Sequence, residues 1–247
     1  GNENYWHWIY DVLPRLAICN EITKLSEIDF FLLPSTKKNF QQETLRVFKI
    51  TENKMLSSEK YRHIISDELL ATDHPYALSE DSTKDIHDIP EWISKWLKEI
   101  FLGNLNSDKD FSSKKIYIDR RDSTSNVAKL REFINEEEIQ KFLSNNGFEI
   151  VRMLDLSFMD QVGLFHNADY IIGLHGAAFA NLAFCKPNTK ILEFQSPTAG
   201  KVIENLAKTN KLNFTSLACE PLAHKDLNQF GHIKVPIDVL KNKIKNL

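Results

Sequence analysis

Sulfur is scarce in this sequence, and so are excess charge of one sign and long apolar runs. The 247 residues include three cysteines, Cys19, Cys185 and Cys219, an odd number at wide spacing. That excludes a disulfide framework and a cysteine-based zinc site. Cys19 and Cys185 lie among apolar neighbours and read as small buried hydrophobes, which fits a reducing compartment. Lysine and arginine total 31 against 34 aspartates and glutamates, a net charge of -3. A nucleic-acid binder carries a basic excess, and none is here. The short run Lys241, Lys243, Lys245 reads as a solvated helix face near a C-terminus, where cations suit the dipole. No apolar run reaches the roughly 20 residues of a membrane span. No signal peptide is visible, but the sequence opens on Gly1 rather than Met, directly in an aromatic segment, and reads as starting inside a longer protein.

What remains is the composition of an ordinary globular protein, 42% hydrophobic and 26% charged. Its length suits one large domain or two small ones. Residues 4 to 19 carry apolar side chains at helical spacing, with Asn4, His7, Asp11 and Arg15 following one another on the other side. Pro14 should kink this helix or interrupt its bonding. A strand is expected over 29–33, a helix over 39–48 and another strand near Tyr61 to Ile65. Residues 71–90 read as a long surface loop, and Pro90 opens a helix to about Leu102. The polar stretch 103–114 is the candidate linker. Beyond it strands and helices alternate: strands at 115–118, 148–153, 169–173, 190–194 and 213–217, with helices at 135–146, 158–167, 177–184, 200–209 and 236–247. That rhythm predicts a parallel, doubly wound α/β sheet.

Four constellations could carry chemistry. In Gly173-Leu174-His175-Gly176-Ala177-Ala178 a buried strand turns through two glycines into a helix of small residues. A helix N-terminus approached by bare backbone is an anion site, although the spacing matches neither the dinucleotide fingerprint nor the P-loop. The alternative is a tight turn with no ligand. Arg120-Arg121 follow the strand 115–118, at the edge where parallel sheets bind ligands, and guanidinium matches phosphate; flanked by Asp119 and Asp122, they could equally form a surface ion-pair cluster. Arg131 is a weaker candidate of the same kind. Glu193 ends a strand, where a carboxylate can take a ribose hydroxyl pair or be an ordinary strand-end charge. On the first helix, Asp11 could orient the imidazole of His7 and leave one nitrogen to take a proton, or the polar face could be no more than that. No third ligand at suitable spacing follows, so no metal site is expected there.

Taken in order, these segments resemble glycosyltransferase family 61. The likeness is carried by Asn4-Tyr5-Trp6-His7-Trp8 with Asp11 to Arg15, by Ile116 to Arg121, by Asn135 to Glu138 and by Gly147-Phe148-Glu149. It continues through Leu156-Ser157-Phe158 with Gln161, the turn Gly173 to Ala178 with Asn181, Phe184 to Lys190, and Leu192-Glu193. The family often has Ser where Asp119 stands, and Pro-His-Gly-Ala-Gly where Leu174 to Ala178 stand.

The resemblance implies a GT-B architecture of two Rossmann-like, doubly wound parallel-sheet domains facing a cleft. The acceptor-side domain would be 1–110, possibly truncated at its start, and the nucleotide-sugar domain 111–247. It implies an inverting, metal-independent transfer of a sugar from a nucleotide-diphosphate donor such as a UDP-sugar to a glycan, lipid-linked glycan or other hydroxyl acceptor. The sugar nucleotide is a co-substrate and no cofactor is needed. Arg120 and Arg121, with His175, Gly176 and Ala177 at the helix terminus, would hold the diphosphate, and Glu193 the ribose. His7 would be the base, with Asp11 as its orienting partner or as the base itself, and Asn4 and Trp8 would lie on the acceptor side. A bacterial member would build capsule or lipopolysaccharide from the cytoplasm, in peripheral contact with the inner membrane face. A second reading keeps the scaffold without catalysis, as a glycan or partner binder stacking sugars on Tyr5, Trp6, Trp8 and Tyr10; a phosphate-ester hydrolase lacks a visible nucleophile-plus-metal set.

Overall fold

A proline decides how the first helix runs. A computed structural model describes residues 3–76, 88–106, 109–120, 133–223 and 232–245. In place of one kinked helix there are three joined pieces: α1 (Tyr5–His7), a π-helical turn over Trp8–Val12, and α2 (Pro14–Ile22). Pro14 has no N–H to give, and the turn before it widens so that the Leu13 N–H reaches Trp8 O at 3.0 Å. Pro14 then begins α2, where a missing N–H costs nothing.

Strand β1 (Phe31–Leu33) and helix α3 (Asn39–Val47) stand where the sequence pattern put them. The strand expected near Tyr61 to Ile65 does not. Those residues form no ladder, and Tyr61, Ile64 and Ile65 are exposed. The strand is β2 (Met55–Ser57), pairing parallel to β1 with Phe31 opposite Met55. A run of apolar and β-branched residues becomes a strand only where a partner backbone is within reach, and β1 presents one to 55–57. Helix α4 (Glu91–Leu102) follows Pro90 as expected.

The alternating second half builds β3 (Lys115–Asp119), α5 (Glu136–Asn145), β4 (Glu149–Arg152), α6 (Phe158–Asn167) and β5 (Tyr170–Leu174). It goes on through β6 (Lys190–Gln195), α7 (Val202–Thr209) and β7 (Asn213–Ala218). These five strands form one sheet in the order β4-β3-β5-β6-β7, and every pairing is parallel. Ser157 caps α6 by accepting from the Asp160 N–H at 3.2 Å. Gly147, at φ 79°, ends α5 in the left-handed region that glycine allows. Beyond β7 lies an antiparallel pair that the sequence reading missed, β8 (Pro221–Ala223) with β9 (His232–Ile233), before the final helix α8 (Ile237–Lys245).

Alternation along the strands sorts the core into two faces. Tyr117, Ile172, Leu192 and Phe194 pack with Ile139 and Leu143 of α5 and Leu240 of α8. Ile116, Ile118, Ile171 and Ile191 face the other way, into a larger core holding Phe158 and Phe165 of α6 and Leu206 of α7. That same core takes in Trp8, Leu13, Leu97 and Phe101, so the N-terminal helices share one core with the sheet. Phe101, Phe158 and Phe184 meet edge to face there, with centroids 4.8 to 6.0 Å apart. Of the two doubly wound sheets expected, one is present among the described residues, and their N-terminal part adds the two-stranded β1-β2 sheet. Within the stretch read as a linker, Lys109 pairs with Asp160, and Phe111 lies so close to Gly163 that a Cβ there would strike its ring.

Candidate functional site

The strand order fixes where a ligand crevice opens. From β3 the chain moves outward to β4, then returns past β3 to β5 and continues the other way. The order therefore reverses between β3 and β5, and the carboxyl ends of those two strands are where an open α/β sheet of this order places its ligand crevice. Arg120 follows the end of β3, and the turn His175-Gly176 follows the end of β5. The register pairs Ile118 with Gly173, so continuing it sets Arg120 beside His175. Arg120 Nη1 donates to the carbonyl of His175 at 2.5 Å.

Gly176 explains itself through that arginine. A Cβ at position 176 would stand 3.0 Å from Arg120 Nη1 and 3.1 Å from Cζ. Its φ of 169° is extended backbone that any residue adopts. Glycine is needed because the guanidinium lies across the bare chain. Gly173 is similarly hemmed in, with its would-be Cβ 3.2 Å from both Ile118 and Phe179.

His175 points into the sheet. Its Nδ1 lies 2.5 Å from Glu193 Oε1, with the two side chains 6% and 2% exposed. An ionised carboxylate only accepts, so the proton sits on Nδ1. Glu193 stands within β6, directly opposite Gly173. The carboxylate expected to hold a ribose is thus buried and engaged by His175.

The segment after the turn, expected as an α-helix, is a 3-10 helix over Ala177–Phe184. Its tighter winding uses bonds to the third residue back, as in Phe179 N–H to Gly176 O at 3.1 Å. The opening N–H groups, at Ala177 and Ala178, have no acceptor within such a helix. Phe179 to Phe184 are all buried, which holds this unusual length in place. Asn181 anchors it: Oδ1 accepts from the Tyr5 hydroxyl at 2.7 Å, and Nδ2 donates to Gln161 Oε1 and Ala178 O, both at 3.1 Å. Tyr10 donates to Ala180 O at 2.8 Å. Burial pushes both phenols above their ordinary range, so each remains a donor. The N-terminal helix is thereby docked on the element that begins at the turn.

That helix carries the second polar cluster. His7 Nδ1 lies 2.6 Å from Asp11 Oδ2, one helical turn away. The other oxygen, Oδ1, accepts from the hydroxyl of Tyr76 at 2.5 Å. His7 is 35% exposed and Asp11 21%. With Nδ1 facing the carboxylate, Nε2 is the nitrogen left for a proton from elsewhere. Arg15, the fourth residue of that polar face, donates to Asp11 O at 3.0 Å and Thr72 O at 3.1 Å.

Other expectations fare differently. Trp8 is fully buried with its indole N–H given to Thr44 at 2.9 Å, so it offers no ring to an acceptor. Trp6 and Tyr10 are buried too, and Tyr5 packs edge-on to Phe40; the aromatic density of this segment is core, because its helix packs against the 3-10 helix Ala177–Phe184. Asn4 is exposed, and its Oδ1 caps α1 by accepting from Trp6 N–H at 2.9 Å. Arg121 and Arg131 lie outside the described residues. Two features had no sequence signal: Tyr76, 65 residues from Asp11, and the Arg120–Gly176 contact. A shallow groove lined by Lys109, Phe111, Ser113, Glu149 and Asp160 lies elsewhere, by the first residue of β4. Among the described residues no three His, Cys, Asp or Glu side chains converge as metal ligands, and no helix is long and apolar enough to cross a membrane.

A parallel sheet whose strand order reverses beside an arginine and a glycine turn is compatible with a Rossmann-like α/β fold. Comparison with protein families makes this specific. The family Glycosyltransferase 61 matches residues 5–192, spanning the first helix, the turn and β6, and the chain belongs to that family. It is therefore a glycosyltransferase in the general sense, with a sugar donor and a glycan acceptor as reaction partners. No curated protein matches the chain.

Proposed function

We propose that the chain is an inverting, metal-independent glycosyltransferase of GT-B type whose nucleotide-diphosphate sugar docks at the turn Gly173–Ala178. One observation carries this: the Arg120 guanidinium laid across Gly176 at the switch point, beside the opening N–H groups of a 3-10 helix. The guanidinium is planar and permanently charged, and its bond to the His175 carbonyl fixes it over the turn. A diphosphate seated there would meet a fixed cation and backbone N–H groups, the arrangement that stabilises charge developing on a leaving group. Arg121 joins Arg120 in this reading, Ala177 supplies an N–H, and Glu193 acts through His175, holding its ring and the turn.

In the transfer step, His7 Nε2 takes the proton of the acceptor hydroxyl as its oxygen bonds to the anomeric carbon. The bond from that carbon to the diphosphate breaks on the opposite face, and its electron pair leaves with the phosphate. Asp11 stabilises the imidazolium that forms. The acceptor is a glycan or a lipid-linked glycan, and the setting is the cytoplasmic membrane face where capsule or lipopolysaccharide is assembled. Burial of Trp6, Trp8 and Tyr10 removes the stacking surface that a non-catalytic glycan binder would use. Hydrolysis and thermal-shift screening against a panel of UDP-, GDP- and dTDP-sugars tests the reading. Expected are slow turnover of one member and stabilisation by the matching nucleoside diphosphate; no response to any member would sink it.

A further inference from the structure

We propose that Tyr76 is a positioning residue for the transfer step: it locks the Asp11 carboxylate, which in turn fixes the ring of His7. This rests on the reading of His7 as the base. An aspartate carboxylate turns readily about its terminal bond, whose energy wells are broad. A carboxylate bonded through one oxygen can therefore swing and carry its partner with it. Here both oxygens are held, Oδ2 by His7 Nδ1 at 2.6 Å and Oδ1 by the Tyr76 hydroxyl at 2.5 Å. The carboxylate is held by two contacts, one on each oxygen, and it faces His7 Nδ1 as an acceptor.

Tyr76 is itself anchored for this work. It is buried, and its carbonyl lies 3.1 Å from His74 Nδ1, while the His74 ring meets its own ring edge to face at 4.3 Å. Four residues earlier, the Thr72 carbonyl accepts from Arg15 Nη1 at 3.1 Å. The same guanidinium donates through Nε to the Asp11 carbonyl at 3.0 Å. The irregular segment 72–76 is thus tied to the helix at two points, one beside the backbone of Asp11 and one on its carboxylate. If Tyr76 served only to fill space, the phenyl ring of phenylalanine would serve as well. The hydroxyl is what couples it to His7.

The test is the Tyr76→Phe variant of the full chain, compared with wild type and His7→Gln. Ring nitrogen shifts of His7, read by NMR on protein labelled with 15N-histidine and assigned by their loss in His7→Gln, report where the proton sits. Rates are measured with the sugar nucleotide of the panel that the wild type consumes fastest. Expected for Tyr76→Phe are His7 shifts moving toward a mixture of the two tautomers, kcat lower by roughly tenfold, and donor KM unchanged, as for loss of one hydrogen bond to a charged group. Wild-type shifts and kcat in Tyr76→Phe, with transfer abolished in His7→Gln, would overturn the role of Tyr76 and leave His7 as the base. Altered shifts without a change in kcat, together with full activity in His7→Gln, would overturn both. A global unfolding of Tyr76→Phe is detected by the remaining histidine signals and is separated from the local effect by Tyr76→Met, whose flexible side chain adapts to the buried space and adds no N–H donor.

Discussion

The two polar clusters of this protein are built by opposite means. At the turn, Arg120, His175, Gly176 and Glu193 ride on adjacent strands of one parallel sheet, and their spacing follows from register. At the first helix, His7 and Asp11 come from one turn of helix, but their third member, Tyr76, arrives from a distant irregular segment. In the first, His175 and Glu193 are buried while Arg120 and Gly176 are half-buried at the strand ends; the second is partly exposed and tied by side-chain bonds. On the proposed reading, rigid strands suit a site that holds a diphosphate in one place, whereas an acceptor hydroxyl approaches from solvent. The link between them is material: Tyr5 and Tyr10 of the first helix bond to Asn181 and Ala180 of the 3-10 helix that begins at the turn.

The contrast can be broken by mutation, starting where the largest effect is expected. His7→Gln should lower kcat by roughly a hundredfold to ten-thousandfold while calorimetry finds nucleoside diphosphate binding unchanged; a loss of binding would mean that the helix serves the donor instead. Gly176→Val should do the reverse. Its side chain displaces Arg120, at an overpacking cost of about 1–3 kcal/mol, so donor affinity falls tenfold to over a hundredfold. Wild-type affinity would remove the turn from the donor site.

Glu193→Gln keeps the shape and removes the charge facing His175. A charge-assisted hydrogen bond contributes about 1.5–3 kcal/mol, so both stability and donor affinity should fall, the latter roughly tenfold, with kcat little altered. Asn181→Ala cuts the tie between the clusters and leaves buried partners unsatisfied, about 1–3 kcal/mol. A melting temperature lower by several degrees is expected, with both binding and rate reduced together. An effect on only one would show that the clusters are independent.

The smallest effect concerns the face away from both clusters. Burial pushes the Cys219 thiol from 9.0 up to about 11. The unfolded chain ionises it first, so its contribution to stability is intact below about pH 8.5 and fades as pH climbs toward 11. At pH 8 the native protein should label with a thiol reagent far more slowly at Cys219 than the denatured protein; equal rates would show that this face is open.

Much of this was legible in the residues themselves. Alternation from Lys115 onward announced the parallel sheet, because strands buried on both faces are near-continuous apolar runs. Two glycines beside a run of small residues announced the turn, and the spacing of His7 and Asp11 set them on one side of a helix. Aromatic residues of the same helix misled. Trp8 carries an indole N–H that could face a sugar or a partner within the protein, and nothing local says that Thr44 is that partner. Likewise the run at Tyr61 to Ile65 has the composition of a strand, yet β1 pairs with Met55 to Ser57.

What the sequence by itself determined, then, is whatever depends on neighbours along the chain: helix and strand periodicity, the proline that opens α2, the glycine turn and the ordered motifs of the family. What only the tertiary structure decided is whatever depends on contact between distant segments. Glu193, expected at a ribose, is buried and bonded to His175, which the pairing of β5 with β6 brings to it. Gly176 gained its reason from Arg120, and Asp11 gained a second bond from Tyr76. Local sequence fixes backbone preference over a few residues, but the environment of a side chain is set by packing, which brings together residues that sequence distance keeps apart.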